Sequence, residues 1–336
     1  MKVRPVADST AWAAFAGAHR VHRGEIAFWL VAVVAFVALP RQALIGNEIA
    51  ILALFALSLD LILGYAGIVS LGHAAFFGLG AYAAGLFAKH VSGDPLTGLA
   101  VGAAVATFAG FVTSFLVLRG SDLTRLMVTL GVALVLAEIA NKWASVTGGA
   151  DGLQGIAMKP LLGAFAFDLA GRTAFAYSLT VLFVLFVIAR RIVHSPFGMS
   201  LRAIRDNPLR AAAIGIPVRR RLIAIYTIAA GYAGVAGALL AQTTQYVSLD
   251  VLAFDRSADV LLVLVIGGTG WLYGGLVGAL AFKIAQDLFS SLTPQYWHFW
   301  IGLVLVVLVL VGRERLRGVG GAFLRIARRA GSEGAT

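Results

Sequence analysis

The sequence of 336 residues contains no cysteine and few charged side chains. Without cysteine it can form no disulfide, no thiolate metal site and no cysteine nucleophile. Charged residues make up 13% of the chain, against about 25% in a typical soluble protein, whereas hydrophobic residues make up 60%. This balance predicts an all-α polytopic membrane protein rather than a soluble domain.

Motifs of the common enzyme classes are also missing. None of the lysines follows a glycine, so the phosphate-binding loop G-x-x-x-x-G-K-[ST] is absent. The sequence contains no HExxH metal motif and no G-x-S-x-G nucleophile motif. We therefore expect no catalytic residue, no metal site and no cofactor in this chain, so that any ATP would be bound by a different subunit.

Long apolar runs fill most of the chain. A membrane-spanning helix needs about 20 apolar residues, and some segments are interrupted by glycine, so we expect about eight to ten spans with Gly-interrupted or re-entrant segments. The candidate runs are 26–40, 48–63, 68–88, 96–118, 125–142, 173–190, 222–243, 258–286 and 297–312.

One long loop is rich in arginine, with eight basic residues and a single acid, Asp206. These are Arg190, Arg191, Arg202, Arg205, Arg210, Arg219, Arg220 and Arg221. Because cytoplasmic loops carry an excess of Lys and Arg, this loop should be cytoplasmic. The arginines lie at the ends of apolar runs and are not interleaved with aromatic residues, which indicates membrane topology rather than nucleic-acid binding.

Basic residues at both termini indicate the same side. We expect a cytoplasmic N-terminal segment 1–25, a single transmembrane domain 26–312 with a cytoplasmic loop 191–221, and a cytoplasmic basic tail 313–336. The loop around Asp250 then lies outside. From there to a cytoplasmic C-terminus the chain must cross an odd number of times, so the run 258–286 must turn within the membrane, as two short helices or as a re-entrant hairpin.

The segment from Ser195 to Gly215 carries helix signals inside the arginine-rich loop. Ser195 before Pro196 and Asn207 before Pro208 are N-cap pairs that predict two short helices, and Gly215 is a stop signal. An apolar stripe in the first helix predicts a docking surface for a partner, formed by Pro196, Phe197, Gly198, Leu201, Arg202, Ile204, Arg205 and Gly215. The alternative is an amphipathic helix lying on the membrane surface.

Two glycine-rich segments, residues 64–82 and 267–278, lie in opposite halves of the chain. Interrupted helices at corresponding positions are typical of a substrate path, because unwound backbone at membrane depth must line a cavity or be buried in protein. The candidate path residues are Ser70, Gly72, His73, Gly267, Gly268 and Thr269. The alternative is that the glycines only allow close helix packing.

Four ordered motifs carry a resemblance to a known family. They are Gly64-Tyr65-Ala66-Gly67 with residues 70–78, the run from Leu118-Arg119-Gly120 to Asp151-Gly152-Leu153, the segment 195–215, and residues 265–279. Together they resemble the LivM type of branched-chain amino acid permease from ABC importers.

The resemblance implies a permease subunit in the bacterial inner membrane. It implies a second homologous permease, two cytoplasmic ATP-binding subunits and an extracytoplasmic solute-binding protein as partners. Branched-chain amino acids are the default substrate, although the family includes permeases for urea and short amides. Asp60 stands where relatives often carry Asn.

Ionisable residues inside the apolar runs leave a further alternative. An Asp or Lys at the centre of a membrane helix costs about 2.5–3.5 kcal/mol, so Asp60 and Glu138 should face protein or water. If these two carboxylates relayed protons, the chain would be a proton-coupled secondary transporter.

Overall fold

The computed structural model describes residues 23–38, 40–120, 122–168, 170–296, 299–303 and 306. The regular secondary structure of these residues is helical. The β-type pairing among them is limited to isolated antiparallel bridges between Leu153 and Val247 and between Leu161 and Phe165. The all-α prediction is therefore confirmed. Most of the predicted segment 1–25, most of the run 297–312 and the whole tail 313–336 lie outside the described residues.

The α-helices follow one another with short connections except between residues 152 and 171. In chain order they are α1 (Arg23–Ala38), α2 (Ala43–Ala66), α3 (Ala74–His90), α4 (Pro95–Val117), α5 (Asp122–Lys142), α6 (Ala144–Thr147), α7 (Arg172–Val193), α8 (Pro196–Asp206), α9 (Pro208–Ala213), α10 (Val218–Thr244), α11 (Phe254–Gly267) and α12 (Leu272–Leu292).

Six helices in the described part of the chain are long and apolar enough to cross a membrane, namely α2, α4, α5, α7, α10 and α12. Helices α1, α3 and α11 have 16, 17 and 14 residues. These are shorter than the roughly 20 residues that a full crossing takes. The prediction of eight to ten spans is thus not confirmed for the described residues, because α1 is short and glycine breaks shorten the helices in the runs 68–88 and 258–286.

Helices α2 and α10 form the core, and most of each is buried inside the chain. Small residues let α10 approach its neighbours closely. A Cβ added to Gly80 of α3 would lie 2.1 Å from the carbonyl oxygen of Gly234, and one added to Gly110 of α4 would lie 2.3 Å from the Cβ of Ala230. By contrast, most of α5 is exposed at the surface of the chain.

Glycine breaks interrupt the helices where the sequence predicts them. Helix α2 ends at Gly67, which has a φ of 72° and donates its N–H to the carbonyl of Leu63 at 3.2 Å. The next helix begins only at Ala74. In the second half, α11 ends at Gly267 and α12 begins at Leu272, with Gly268 and Gly270 at φ values of 107° and 75°. The run 258–286 is therefore divided between two helices, but α12 has 21 residues and is not short, so the predicted turn within the membrane stays a prediction.

The chain divides into two compact units, with the boundary after Ala279 within α12. In the second unit Lys283 forms an ion pair with Asp287 at 3.5 Å, and Phe289 stacks on Trp300 with ring centroids 6.4 Å apart. Both glycine breaks and the segment 195–215 belong to the first unit.

Candidate functional site

The glycine break between α11 and α12 contacts Asp60, a side chain of α2 with no exposed surface. Its Oδ1 accepts a hydrogen bond from the backbone N–H of Gly270 at 2.7 Å. One turn further along α2, a Cβ added to Gly64 would lie 2.3 Å from the Gly270 nitrogen. Because Gly64 has no side chain, the break between α11 and α12 can lie directly against α2, where the carboxylate satisfies a backbone donor that no helix bond would satisfy.

Arg205 of α8 reaches the same place from the arginine-rich loop. Its Nη1 donates a hydrogen bond to the Gly64 carbonyl oxygen at 2.5 Å, and its Nη2 lies 3.1 Å from Oδ1 of Asp206. The Gly64 carbonyl belongs to the last turn of α2, where carbonyl groups lack intrahelical partners and attract cations. Arg202 lies over the ring of Tyr65 at 5.3 Å, a cation–π contact with the same helix end.

Both predicted caps of the segment 195–215 are present. The Ser195 hydroxyl accepts from the Gly198 N–H at 3.4 Å and begins α8, and the Asn207 side chain accepts from the Arg210 N–H at 2.9 Å and begins α9. Gly215, with a φ of 88°, follows the end of α9. The two short helices and their boundaries are therefore confirmed.

The apolar stripe of α8 faces this chain rather than outward. Leu201 and Ile204 are 0% and 4% exposed, and Phe197 is half-buried with the Arg221 guanidinium 5.2 Å from its ring. A Cβ on Gly198 would lie 2.2 Å from the Val193 carbonyl. Leu201 and Ile204 thus fix α8 to the transmembrane helices and are not available to a partner.

The exposed positions of the segment include four of the predicted docking residues, namely Pro196, Arg202, Arg205 and Gly215. They also include three apolar side chains, since Met199, Leu209 and Ile214 are 43%, 82% and 75% exposed. A docking surface in this segment would have to use exposed residues such as these, and its role in docking stays a prediction.

Ser70 and His73 lie in the break between α2 and α3 and are 0% and 1% exposed. Nε2 of His73 is 2.8 Å from the Ser58 hydroxyl, and the His73 ring stacks on Phe55 with centroids 5.7 Å apart. These contacts place the imidazole inside the helix bundle of this chain.

The backbone of the same break is held by side chains from two other helices. The Leu71 N–H donates to Thr129 of α5 at 3.3 Å, and the Ala74 N–H donates to Ser257 of α11 at 2.9 Å. Hydroxyl groups from neighbouring helices therefore satisfy backbone donors that the interruption of the helix leaves open.

The predicted path glycines lie in close backbone contacts. A Cβ on Gly72 would lie 1.9 Å from the Thr129 carbonyl oxygen, and one on Gly267 would lie 1.8 Å from the Gly274 carbonyl oxygen. Gly268 is buried, whereas Thr269 is exposed at the surface of the chain. Close packing accounts for Gly72 and Gly267, and a part in a substrate path stays a prediction for all six residues.

Comparison with known proteins decides the family. The model of the family described as "Branched-chain amino acid transport system / permease component" matches residues 43–310, which include all of the contacts above. The chain belongs to this permease family. With its apolar helices, this makes it a multi-pass protein of the inner membrane. No solved structure matches the chain.

Relatives of the permease include transporters for more than one solute. It is 27% identical to the branched-chain amino acid permease protein LivM of Escherichia coli over 279 residues, 76% of this chain and 65% of that protein. It is also 27% identical to the fructose import permease protein FrcC of Rhizobium meliloti, over 85% of this chain and 81% of that protein. LivH of Salmonella typhimurium is 22% identical over 77% of the chain. The chain thus spans about two thirds of the length of LivM.

Glu138 of the permease is far more open than Asp60. Its side chain is 57% exposed on α5 and pairs with Lys142 one turn later at 3.3 Å. Among the described residues, Asp60 and Glu138 share no hydrogen-bond or ion-pair partner. The geometry therefore gives no direct support to a proton relay through these two carboxylates.

Sequence reasoning singled out Asp60, Gly64 and Arg205 separately but missed that they meet. The available signal was a carboxylate in an apolar run one turn before a glycine, together with an unpaired excess of arginine in one loop. Each of these groups needs a polar partner, and the sequence does not say which partner it finds.

Proposed function

We propose that this chain is the membrane-spanning subunit of an ATP-driven importer for branched-chain amino acids. It forms the translocation path together with a second homologous permease. Two separate cytoplasmic ATP-binding subunits drive transport, and an extracytoplasmic binding protein supplies the solute. The observation that carries the proposal is the family match over residues 43–310, with LivM among the relatives.

The arginine-rich segment supports coupling to a cytoplasmic ATPase. Helices α8 and α9 are capped at their N-termini, fixed to the membrane helices by Leu201 and Ile204, and bear exposed apolar side chains on the outer face. A rigid element that is anchored in this way can transmit a displacement of the ATPase subunits to the membrane helices, whereas a flexible loop would not.

The contacts of Arg205 and Asp60 connect α8, through α2, to the break between α11 and α12. Inward movement of α8 would act through Arg205 on the Gly64 end of α2 and, through Asp60, on the break at Gly270. Because breaks between helices are where rigid segments change their angle, closure of the ATPase pair would bend the α11–α12 junction relative to α2.

The test is uptake by the reconstituted importer. The permease is co-expressed with a homologous second permease and ATP-binding subunits from the same organism, placed in proteoliposomes, and supplied with a solute-binding protein of that organism and labelled leucine. We expect uptake that requires ATP and is unaffected by a pH gradient. Uptake driven by a proton gradient without ATP would instead establish the secondary transporter.

Sugar import is the second candidate, because the match to FrcC covers a larger share of this chain and of the relative than the match to LivM does. The same vesicles distinguish the two substrates when leucine, fructose and urea are offered as competitors. Competition by fructose alone or by urea alone would replace the amino acid assignment and leave the importer class intact.

A further inference from the structure

A groove of about 790 Å³ lies between α1 and α7 and has mostly apolar walls. Trp29 and Phe183 meet edge to face across it with ring centroids 4.8 Å apart. Further lining side chains are Leu30, Val33, Phe186 and Val187.

The groove opens on the outer face of the chain. Leu30 and Val33 are 58% and 53% exposed, and Phe183 is 44% exposed. Helix α7 is one of the candidate membrane spans. Apolar side chains on the outside of a spanning helix lie at the depth of the lipid acyl chains, so the walls suit a hydrocarbon chain.

One end of the groove is positively charged. Glu25 and Arg190 form an ion pair there at 2.7 Å, so these two charges cancel. Arg191 lies beside them, is exposed, and forms no ion pair with any residue that the structure describes. His194 completes this end, with its Nδ1 2.8 Å from the Arg190 carbonyl oxygen. Glu25 is the only acid among the lining residues that the structure describes, which leaves an excess of positive charge there.

We propose that this groove binds a phospholipid with an anionic head group, its phosphate at Arg191 and one acyl chain between α1 and α7. The pattern of an apolar trough ending in an uncompensated arginine matches the two parts of such a lipid. Basic pockets between membrane helices at the cytoplasmic surface recognise anionic head groups by the same charge complementarity. The proposal does not depend on which solute the permease carries.

Photolabelling of the intact permease in nanodiscs tests this inference. Two probes with the same diazirine acyl chain are compared, one with phosphatidylglycerol and one with phosphatidylcholine as the head group, and labelled peptides are mapped by mass spectrometry. We expect phosphatidylglycerol to label residues 25–33 and 179–191 about fivefold more than phosphatidylcholine, the preference that one arginine near an anionic lipid provides.

Matched variants separate the head-group contact from the groove itself. Arg191→Gln should reduce labelling by phosphatidylglycerol to the level of phosphatidylcholine, whereas Arg219→Gln, an exposed arginine that does not line the groove, should leave it unchanged. Val33→Trp should lower labelling by both probes. Equal labelling by the two probes, or no effect of Arg191→Gln, would overturn the proposal. So would a photo-crosslinker at Val33 that captures protein, either the second permease or this chain's own N-terminal residues, instead of lipid.

Discussion

Asp60 and Gly270 are 210 positions apart in the sequence, and the carboxylate of one accepts the backbone N–H of the other at 2.7 Å. The contact joins the C-terminal part of the core helix α2 to the break between α11 and α12. A buried hydrogen bond of this kind specifies one register between α2 and the α11–α12 break, since a shift of either segment would leave the N–H without a partner.

The first prediction compares Asp60→Asn with Asp60→Leu. Asparagine keeps an oxygen that can accept from the Gly270 N–H, whereas leucine has a similar volume and no acceptor. An unsatisfied buried donor costs about 1–3 kcal/mol, so Asp60→Leu should unfold at a lower temperature than Asp60→Asn in detergent. Equal unfolding temperatures for the two variants would show that the hydrogen bond does not hold the break in place.

The second prediction concerns Arg205. Removing a hydrogen bond from a charged donor costs about 1.5–3 kcal/mol, so Arg205→Ala should lower transport by about tenfold or more if the contact with Gly64 transmits movement. Arg210→Ala is the matched control, because Arg210 is also exposed in this segment but makes no side-chain contact with α2 that the structure describes.

Two measurements separate coupling from folding in these arginine variants. Transport and substrate-stimulated ATP hydrolysis should both fall in Arg205→Ala, while membrane insertion and co-purification with the ATPase stay normal. If transport falls equally in Arg205→Ala and Arg210→Ala, the effect comes from the charge of the segment and not from its contact with Gly64.

Local sequence signals predicted the helices of the segment 195–215 well. A cap residue followed by proline acts within one turn of backbone, so Ser195 and Asn207 specify helix starts without any knowledge of the fold. The direction of the stripe could not be predicted in the same way. A row such as Leu201 and Ile204 indicates that one face is buried, but whether a partner, a membrane or the same chain covers it depends on long-range packing.

The glycine breaks show the same division between local and distant information. Gly67 and Gly268 adopt positive φ values that other residues avoid, so interruptions near them were predictable. The number of spans was not predictable. The helices 74–90 and 254–267 belong to longer apolar runs in the sequence, and only the positions of the glycine breaks show that these helices are shorter than the runs. The contact between Gly270 and Asp60 could not be predicted without the three-dimensional fold, because the two residues are far apart in the sequence.

The third prediction separates packing from path lining at Gly72. A Cβ there would lie 1.9 Å from the Thr129 carbonyl oxygen, whereas nothing lies within 4 Å of a Cβ at Gly131. Gly72→Ala should therefore lower the yield of assembled complex, and Gly131→Ala should leave it unchanged. Full assembly of Gly72→Ala together with blocked uptake would favour the substrate-path interpretation instead.

The fourth prediction tests the orientation of the chain. Because the sequence has no cysteine, single cysteines can be labelled without background. Asp206→Cys and Asp255→Cys replace two exposed residues on either side of α10. An impermeant thiol reagent should reach the first only from the cytoplasm and the second only from outside. Labelling of Asp206→Cys from outside would invert the proposed topology and remove the basis for ATPase docking.

The last prediction separates the two faces of the segment 195–215. Leu201 is fully buried in this chain, so Leu201→Asp would place a carboxylate among apolar side chains and should destabilise the permease by about 3 kcal/mol or more. Leu209 is 82% exposed and Ile214 is 75% exposed, so Leu209→Asp and Ile214→Asp should leave the isolated permease folded. If these two residues contact the ATPase, the charge will weaken the complex, because an apolar contact would then bury an unpaired carboxylate.

Unfolding temperature and co-purification are measured on the same samples. We expect Leu201→Asp to lower both, and Leu209→Asp and Ile214→Asp to lower co-purification alone. Unchanged co-purification of a variant that carries both Leu209→Asp and Ile214→Asp would show that the ATPase does not bind this face of the segment.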